Sequence, residues 1–173
     1  MEITNMSLLN FEKDLEKALN ESLSLFPGLK ELKAEQKLVI ERVVQKKDVF
    51  AQLPTGLGKS LTYQMLPAVC KYLHALGHKL PENAVVVVVC PLLAIMEDQV
   101  NWLRSLGFRA GFVAESNGRD QEILEASIDL NFLYGSPESL DGDKRFRAML
   151  SKEFYQSDTV AIACDEEHTV VHW

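Results

Sequence analysis

The sequence lacks the marks of a secreted or membrane-spanning protein. Its three cysteines, Cys70, Cys90 and Cys164, stand far apart among 173 residues, and no Cys-x-x-Cys pair occurs. Such cysteines, odd in number and set in apolar surroundings, favour buried free thiols in a reducing compartment over disulfides or a metal site. The longest apolar run, residues 84–90, is too short to cross a bilayer, and the N-terminus lacks a basic region followed by an apolar one. We therefore expect an intracellular protein with no membrane partner.

An excess of basic residues is also missing. The chain has 18 Lys and Arg against 25 Asp and Glu, a formal net charge of −7. A protein that coats nucleic acid with its whole surface is usually basic, so the composition argues against that class. It leaves room for a protein that holds a strand in one cleft, because affinity follows the local field there.

Helical and strand-like patterns alternate along the chain. Apolar residues at helical spacing follow Ser7, a possible helix cap, and predict further helices at residues 33–45, 92–106, 121–126 and 144–151. Another helix is expected from Lys59, with Pro67 kinking or restarting it and Gly77 ending it. Apolar runs predict strands at residues 48–53, 84–90, 109–113, 130–134 and 159–164. This alternation predicts an α/β fold, a parallel sheet with helices on both faces, whose ligands bind at the carboxyl ends of the strands.

A glycine-rich segment between a predicted strand and a predicted helix has the chemistry of a phosphate-binding loop. Gly56 and Gly58 let the backbone turn and approach a phosphate without an intervening Cβ. Successive backbone N–H groups and the start of a helix then form an anion site. Lys59 can reach the β- and γ-phosphates of a nucleotide, and the Ser60 hydroxyl can bind Mg²⁺. The candidate nucleotide-binding residues are Pro54, Thr55, Gly56, Leu57, Gly58, Lys59 and Ser60.

The loop departs from the strict pattern at one position. The full motif has glycine five residues before Gly58, where this chain has Leu53. The alternative is a glycine-rich turn with a chance Gly-Lys-Ser sequence. The setting between a strand and a helix favours the phosphate loop, because the motif requires that context.

Acidic residues follow the last predicted strand. Asp165 and Glu166, then Glu167 and His168, come directly after an apolar run. A phosphate-loop ATPase needs one carboxylate to hold Mg²⁺ and a second group to orient or deprotonate the attacking water. Asp165 fits the first role and Glu166 the second. Alone, the segment would more often be a solvated acidic loop; a phosphate loop in the same chain favours the catalytic interpretation.

Together these motifs resemble those of the DEAD/DEAH-box helicases of superfamily 2. Further segments narrow the resemblance to RecQ-like helicases: residues 28–36 are similar to motif 0, 63–68 to the stretch after the phosphate loop, 90–100 to motif Ia and 133–140 to motif Ib. The order is that of the family, and the resemblance covers about residues 26–173. It implies a RecA-like P-loop NTPase domain there, preceded by an N-terminal helical extension at residues 1–25.

The resemblance implies roles for individual residues. Gln36 would read adenine, His168 would link the ATP state to the strand-binding loop, and Trp173 would open an aromatic-rich loop that senses single-stranded DNA. The implied catalytic residues are Lys59, Asp165, Glu166 and His168, with Ser60 and Asp165 holding Mg²⁺. Nucleic-acid contacts are expected from Pro91, Leu92, Gln99, Ser136, Pro137 and Trp173. In the helix of motif Ia, the core is expected to contain Leu92, Met96, Val100 and Leu103.

Several positions depart from the family pattern, and they keep two alternatives open. The departures are Leu32 for Phe, Lys33 for Arg, Glu97 for a basic residue, Ser139 for Arg and Glu167 for Ala. Glu97, Ser139 and Glu167 favour a non-catalytic nucleotide- or partner-binding module on the same fold. Contacts to the strand backbone also leave open an RNA helicase or another superfamily 2 translocase.

The resemblance implies that the parent protein is an ATP-driven 3′→5′ DNA helicase. It would use ATP and Mg²⁺ on single-stranded and duplex DNA in repair and recombination, in a nucleus if eukaryotic and otherwise in cytoplasm or nucleoid. Such a helicase needs a second RecA-like domain, which supplies an arginine finger, and this chain contains none. We therefore expect the isolated chain to bind nucleotide weakly and to hydrolyse it poorly.

Overall fold

The computed structural model describes residues 2–54, 56–113, 130–142 and 144–165, which belong to two compact units, Met1–Ala84 and Val85–Trp173. The first unit carries the phosphate loop and motif 0. The second carries the segments similar to motifs Ia, Ib and II. The helix predicted at residues 121–126 lies outside the described residues.

The described part of the first unit is helical. Its helices are α1 (Glu2–Leu23), α2 (Ala34–Val44), α3 (Leu61–Gln64) and α4 (Leu66–Ala75). Because α1 begins at Glu2, the prediction that Ser7 caps it is wrong. Pro67 restarts the helix as predicted: it lies in the first turn of α4, where its missing N–H has no helical partner to lose. Gly77 follows α4 at a positive φ of 91°, as expected of a glycine that ends a helix.

The long helix α1 packs on α4 within this unit. Among the side chains of α1 that the structure describes, the buried apolar ones are Leu15, Ala18, Leu19 and Leu23, and Ser22 is buried beside them in the sequence. At one end of the contact, Asp14 Oδ2 lies 3.0 Å from His78 Nε2, and the His78 ring meets Phe11 edge-on at 5.3 Å. Helix α1 is therefore an integral part of the unit that carries the phosphate loop.

The strand predicted at residues 48–53 is not formed. Residues 47–54 have no regular secondary structure, and Phe50 is 80% exposed. A strand is stable only when a neighbour satisfies its backbone N–H and C=O groups, and the described residues of this unit contain no other strand. The prediction is wrong because an apolar run indicates that a segment could form a strand, but it does not indicate whether a second strand lies beside it to pair with.

The second unit is built on a parallel sheet. Along the chain its elements are β1 (Val85–Val89), α5 (Leu93–Ser105), β2 (Ala110–Val113), β3 (Phe132–Gly135), α6 (Pro137–Gly142), α7 (Lys144–Leu150), α8 (Glu153–Asp158) and β4 (Thr159–Cys164). The strand order is β2-β3-β1-β4, and every neighbouring pair is parallel. The strands predicted near residues 84–90, 109–113, 130–134 and 159–164 are thus confirmed. The short helices α6 and α8 were not predicted.

The connections of this sheet explain why helices cover both faces. The path from β1 to β2 crosses β3 in one direction, and the path from β3 to β4 crosses β1 in the other. Since both crossovers are expected to be right-handed, their helices lie on opposite faces. On one face Val87 and Leu133 form a buried cluster with Met149 of α7 and Tyr155 of α8. Helix α5 packs against β2 and β3. The predicted parallel α/β sheet is confirmed.

The cysteines behave differently according to their place in the fold. Cys70 and Cys90 are buried free thiols, as predicted, and burial raises the pKa of Cys70 to about 12. Cys164 is exposed, so the prediction of burial is wrong there. It ends the edge strand β4, where Ile162 is also 68% exposed.

Candidate nucleotide-binding site

The phosphate loop is a turn with two glycines in the left-handed region. Leu57 N–H donates to the Pro54 carbonyl at 3.1 Å, and this hydrogen bond closes the turn. Thr55, between these two residues, lies outside the described residues. Gly56 and Gly58 have φ of 81° and 76°. These angles strain a residue that carries a Cβ, so the glycines at these two positions are explained by the backbone itself.

After the second glycine the chain turns into helix α3. Leu61 N–H donates to the Gly58 carbonyl at 3.2 Å, and Thr62 Oγ1 donates to the Lys59 carbonyl at 2.6 Å. The backbone N–H groups of Gly58 and Lys59 donate to no acceptor within the described residues. The Lys59 side chain is exposed, and Ser60 is partly exposed. The loop therefore offers two N–H donors and an ammonium group to an anion.

Gln36 lies against this loop. Its Nε2 group donates to the carbonyls of Leu57 at 2.8 Å and Gly58 at 3.1 Å, and its Oε1 accepts the Lys33 N–H at 2.9 Å. The last of these bonds caps the start of α2, one half of a capping box. Gln36 is only 4% exposed. The residue predicted to read adenine is thus placed at the phosphate loop, with its amide engaged by the chain's own backbone.

The carboxyl ends of three neighbouring strands bring the other predicted segments to one edge of the sheet. Cys90 N–H donates to the Gly135 carbonyl at 3.0 Å, and Asp165 N–H donates to the Val89 carbonyl at 3.0 Å. Neighbouring strands lie ~4.8 Å apart. The segments similar to motifs Ia, Ib and II therefore begin side by side, and Asp165 is the first residue after β4.

In motif Ia, the apolar face of α5 is only partly as predicted. Met96, Val100 and Leu103 are buried, which confirms that prediction. Leu92 is 50% exposed, so its assignment to the core is wrong: it precedes the first turn of α5 and does not share the buried face. Pro91 and Gln99 are partly exposed on the same segment.

In motif Ib, Ser136 directly precedes helix α6. Ser139 N–H donates to Ser136 Oγ at 3.2 Å, and the two hydroxyl oxygens lie 3.0 Å apart. Pro137 takes the first helical position, which suits its fixed φ. Ser139 is 2% exposed. This helix was not predicted, although Ser followed by Pro is a signal for a helix start.

Four of the predicted site residues cannot be placed. Thr55, Glu166, His168 and Trp173 lie outside the described residues. Gln36, Lys59 and the rest of the loop are brought together in the first unit, whereas Asp165 and the strand-contacting candidates are brought together in the second. The roles given to these residues stay predictions.

Comparison with known proteins agrees with the loop and the sheet. The family model described as DEAD/DEAH box helicase matches residues 33–173. The chain belongs to the DEAD/DEAH box helicase family. The match includes the phosphate loop, the parallel sheet and the acidic segment after β4. It begins after α1.

The relatives of this chain include helicases of the RecQ type. It is 31% identical over 140 residues to ATP-dependent DNA helicase Q1 of Rattus norvegicus, covering 78% of this chain and 21% of the relative. It is 34% identical over 158 residues to the probable ATP-dependent DNA helicase RecS of Bacillus subtilis, covering 90% and 28%. It is 31% identical over 138 residues to the ATP-dependent helicase SGS1 of Saccharomyces cerevisiae, covering 78% and 9%. The resemblance to RecQ-like helicases is confirmed.

A solved structure supports the fold. The DUF1998 helicase MrfA is similar with a TM-score of 0.54 at 16% identity, over 88% of this chain and 29% of that one. The RecA-like α/β class predicted for this helicase chain is confirmed. The chain spans between 9% and 28% of the three relatives named above. None of the helices in the described part of the chain combines the length and apolar character that crossing a bilayer requires.

Proposed function

We propose that this chain binds ATP and Mg²⁺ through its phosphate loop and belongs to a RecQ-like DNA helicase that unwinds DNA in the 3′→5′ direction. The observation that carries the proposal is the loop itself. Two glycines at positive φ leave the N–H groups of Gly58 and Lys59 without an acceptor among the described residues, next to an exposed lysine. This set of donors suits the β- and γ-phosphates of a nucleotide.

The residues present also suit Mg²⁺. The Ser60 hydroxyl and the Asp165 carboxylate are hard oxygen ligands of the kind this cation prefers. When bound, Mg²⁺ would neutralise charge on the phosphates. Glu166 would orient or deprotonate the attacking water, and His168 would couple this site to the bound strand. Lys59 would hold the γ-phosphate in line with that water.

The single strand would lie along the edge of the sheet where β1 and β3 end. Pro91, Leu92 and Gln99 on one side, and Ser136 and Pro137 on the other, lie on segments that begin at this edge. Backbone N–H groups and small polar side chains at such positions suit phosphates rather than base edges. Trp173 would stack on a base.

The proposal for the isolated chain is more limited than for the whole helicase. Phosphoryl transfer in this class depends on an arginine supplied by another domain, worth roughly 10³–10⁵ in rate in related enzymes. We expect weak nucleotide binding and little steady-state hydrolysis from the 173 residues alone. Turnover at ordinary helicase rates by the isolated chain would contradict this part of the proposal.

The test is a titration with a fluorescent ATP analogue in the presence of Mg²⁺. Lys59→Ala should weaken binding at least about tenfold, because a charged hydrogen bond to phosphate is lost. Lys71→Ala is the matched control, since Lys71 is an exposed lysine of α4 away from the loop, and it should bind like the wild type. Equal binding by the two variants would contradict a phosphate site at Lys59.

The same titration also distinguishes the helicase function from the second candidate function, that of a non-catalytic nucleotide-binding module. The substitution of Ser139 for the family's arginine, together with its burial and its bond to Ser136, favours a module that binds nucleotide without strand-dependent catalysis. Single-stranded DNA added to the nucleotide-bound chain should change the fluorescence if the strand site is present.

The direction of unwinding needs a separate experiment. In a helicase-length protein that contains this chain, 3′-tailed duplex DNA should be unwound and 5′-tailed duplex should not.

A further inference from the structure

Helix α7 carries a concentration of positive charge that neither the proposed nucleotide site nor the proposed strand site uses. Lys144, Arg145, Arg147 and Lys152 lie within residues 144–152, which contain no Asp or Glu, in a chain whose formal net charge is −7. Lys144, Arg147 and Lys152 are exposed. Because a ligand responds to the local field, a basic stretch can attract an anion even in an acidic protein.

The apolar side of α7 is packed on the sheet, so its polar side is the one left for a ligand. Met149 is buried in the cluster that contains Val87, and Leu150 packs against that cluster. Lys144 and Arg147 are three positions apart, a spacing that places two side chains next to each other on one face of a helix. A helix that binds a membrane surface needs a free apolar face, so this cationic face suits a hydrophilic anion instead.

The two charges destabilise the helix that carries them. Like charges three positions apart repel each other, and the seven residues of α7 include no carboxylate to offset them. Acidic residues flank the helix on both sides, Glu138, Asp141 and Asp143 before it and Glu153 after it. The positive surface is therefore confined to α7, which suits contact with about two phosphate groups, one for each cation.

The path of the chain places α7 next to the proposed strand site. Strand β3 ends at Gly135, at the edge of the sheet where the single strand is proposed to lie, and α6 begins at Pro137. Helix α7 packs on α6. Since the six residues of α6 extend over only ~9 Å, α7 starts close to that edge.

The chemistry of this face suits duplex DNA better than a single strand. Proteins hold single strands by stacking bases on aromatic side chains as well as by contacting phosphates, and none of the exposed side chains that the structure describes on α7 is aromatic. Lysine and arginine contact phosphates irrespective of base sequence. A duplex presents its phosphates on a rigid surface, one per ~1.7 Å of its axis, so two fixed cations can meet them without ordering a flexible strand.

We propose that Lys144 and Arg147 of α7 contact the phosphate backbone of the duplex that adjoins the single strand. The inference rests on the proposed DNA helicase function, and it adds a duplex contact to the single-strand contacts at the sheet edge. It has one measurable consequence: loss of the two cations should weaken binding of a tailed duplex and leave binding of the tail alone unchanged.

The experiment measures the fluorescence anisotropy of two labelled DNAs titrated with the chain, a 3′-tailed duplex and a single strand with the sequence of its tail. The double variant Lys144→Gln/Arg147→Gln removes both charges and keeps residues that favour a helix. It should bind the tailed duplex about three- to tenfold more weakly at low salt, because two exposed charge contacts are lost. It should bind the single strand within about twofold of the wild type.

The salt dependence of binding counts the phosphate contacts. The logarithm of the association constant falls linearly with the logarithm of the salt concentration, with a slope set by the number of phosphates neutralised. For the tailed duplex, this slope should be shallower by about 2 in the double variant than in the wild type. A change in folding alone would not produce that difference in slope.

The double variant Lys13→Gln/Lys17→Gln is the matched control. It makes the same change in net charge at two exposed lysines of α1, so it reproduces any general electrostatic effect without altering α7. Both DNAs should bind this variant within about twofold of the wild type. A circular dichroism melt of each variant establishes that the protein compared is folded.

The possible outcomes separate the inference from the function on which it rests. Unchanged binding of the tailed duplex by Lys144→Gln/Arg147→Gln would overturn the inference and leave the strand site in place. An equal loss for both DNAs would assign the contact to the single strand, and would also overturn it. Wild-type protein that binds neither DNA would overturn the proposed DNA function of the chain and the inference with it.

A second measurement needs no variant. Wild-type chain is acetylated briefly without DNA, with the single strand or with the tailed duplex, and the modified lysines are quantified by mass spectrometry. Lys144 should be protected by the tailed duplex and not by the single strand, while Lys17 should react equally in all three samples. Equal reactivity of Lys144 in all three would overturn the inference even if the double variant does not fold.

Discussion

At the scale of single residues, the phosphate loop depends on a close approach that only glycine permits. Gly58→Ala would place a Cβ 2.9 Å from Gln36 Nε2, at a φ of 76° that L-residues avoid. We expect this variant to lose at least about tenfold in Mg²⁺–ATP affinity, because the amide must move and its two bonds to the loop weaken. Calorimetric titration measures the loss.

Gly77→Ala is the control that separates strain from contact. Gly77 lies in the same unit at a φ of 91°, but a Cβ there would meet nothing within 4 Å. The variant should cost stability, about 1–2 kcal/mol for a non-glycine residue in the left-handed region. It should leave nucleotide affinity unchanged; an equal loss of affinity in both variants would mean that the contact with Gln36 does not matter.

The tight turn of the phosphate loop could be predicted from its residue types, because their chemistry is local. Glycine at a tight turn, followed by lysine and a hydroxyl, needs no knowledge of the rest of the fold. The contacts of Gln36 could not be predicted, since 21 positions separate it from Leu57. The resemblance implies that Gln36 lies near the nucleotide, but only the structure shows which groups its amide bonds.

At the scale of elements, α1 belongs to the first unit but lies before the family match at residues 33–173. Leu19 is a buried residue of α1, the helix that packs on α4. We expect Leu19→Ala to lower the free energy of unfolding by about 2–5 kcal/mol, as is typical of a leucine removed from a packed core. Urea unfolding measures this loss. Lys17→Ala, an exposed change on the same helix, should be close to neutral.

An unchanged unfolding midpoint in Leu19→Ala would contradict the packing of α1 on α4. A loss would show that residues before motif 0 stabilise the unit that holds the phosphate loop. Nucleotide affinity of the folded variant should stay within about twofold of the wild type, because Leu19 belongs to α1 and not to the phosphate loop.

Elements could be predicted where a segment carries its own signal. The five consecutive valines of β1 form a buried central strand, as a continuous β-branched run predicts. Residues 48–53 also read as apolar, but the described residues of their unit offer no strand partner, so the prediction failed on a property that lies outside the segment. Helices α6 and α8 have six residues each, too few for a helical period to stand out.

At the scale of the whole molecule, the parallel order β2-β3-β1-β4 places three helicase segments at one edge of a sheet. The alternation of strands and helices predicted that arrangement, because parallel strands present their carboxyl ends together. It could not predict that the chain separates into the units Met1–Ala84 and Val85–Trp173. Membership of the DEAD/DEAH box helicase family is shown by a match across both units, and the catalytic roles rest on the proposal.

A nuclear magnetic resonance titration of the ¹⁵N-labelled chain with Mg²⁺–ATP would show directly whether phosphates bind at the loop. The backbone amides of Gly58 and Lys59, which have no acceptor among the described residues, should show the largest shifts, and Lys59→Ala should diminish them. Mg²⁺ alone should not shift the resonance of either amide. If these two resonances stay unmoved in a folded sample at saturating nucleotide, the phosphates do not bind at this loop and the proposed nucleotide site is wrong.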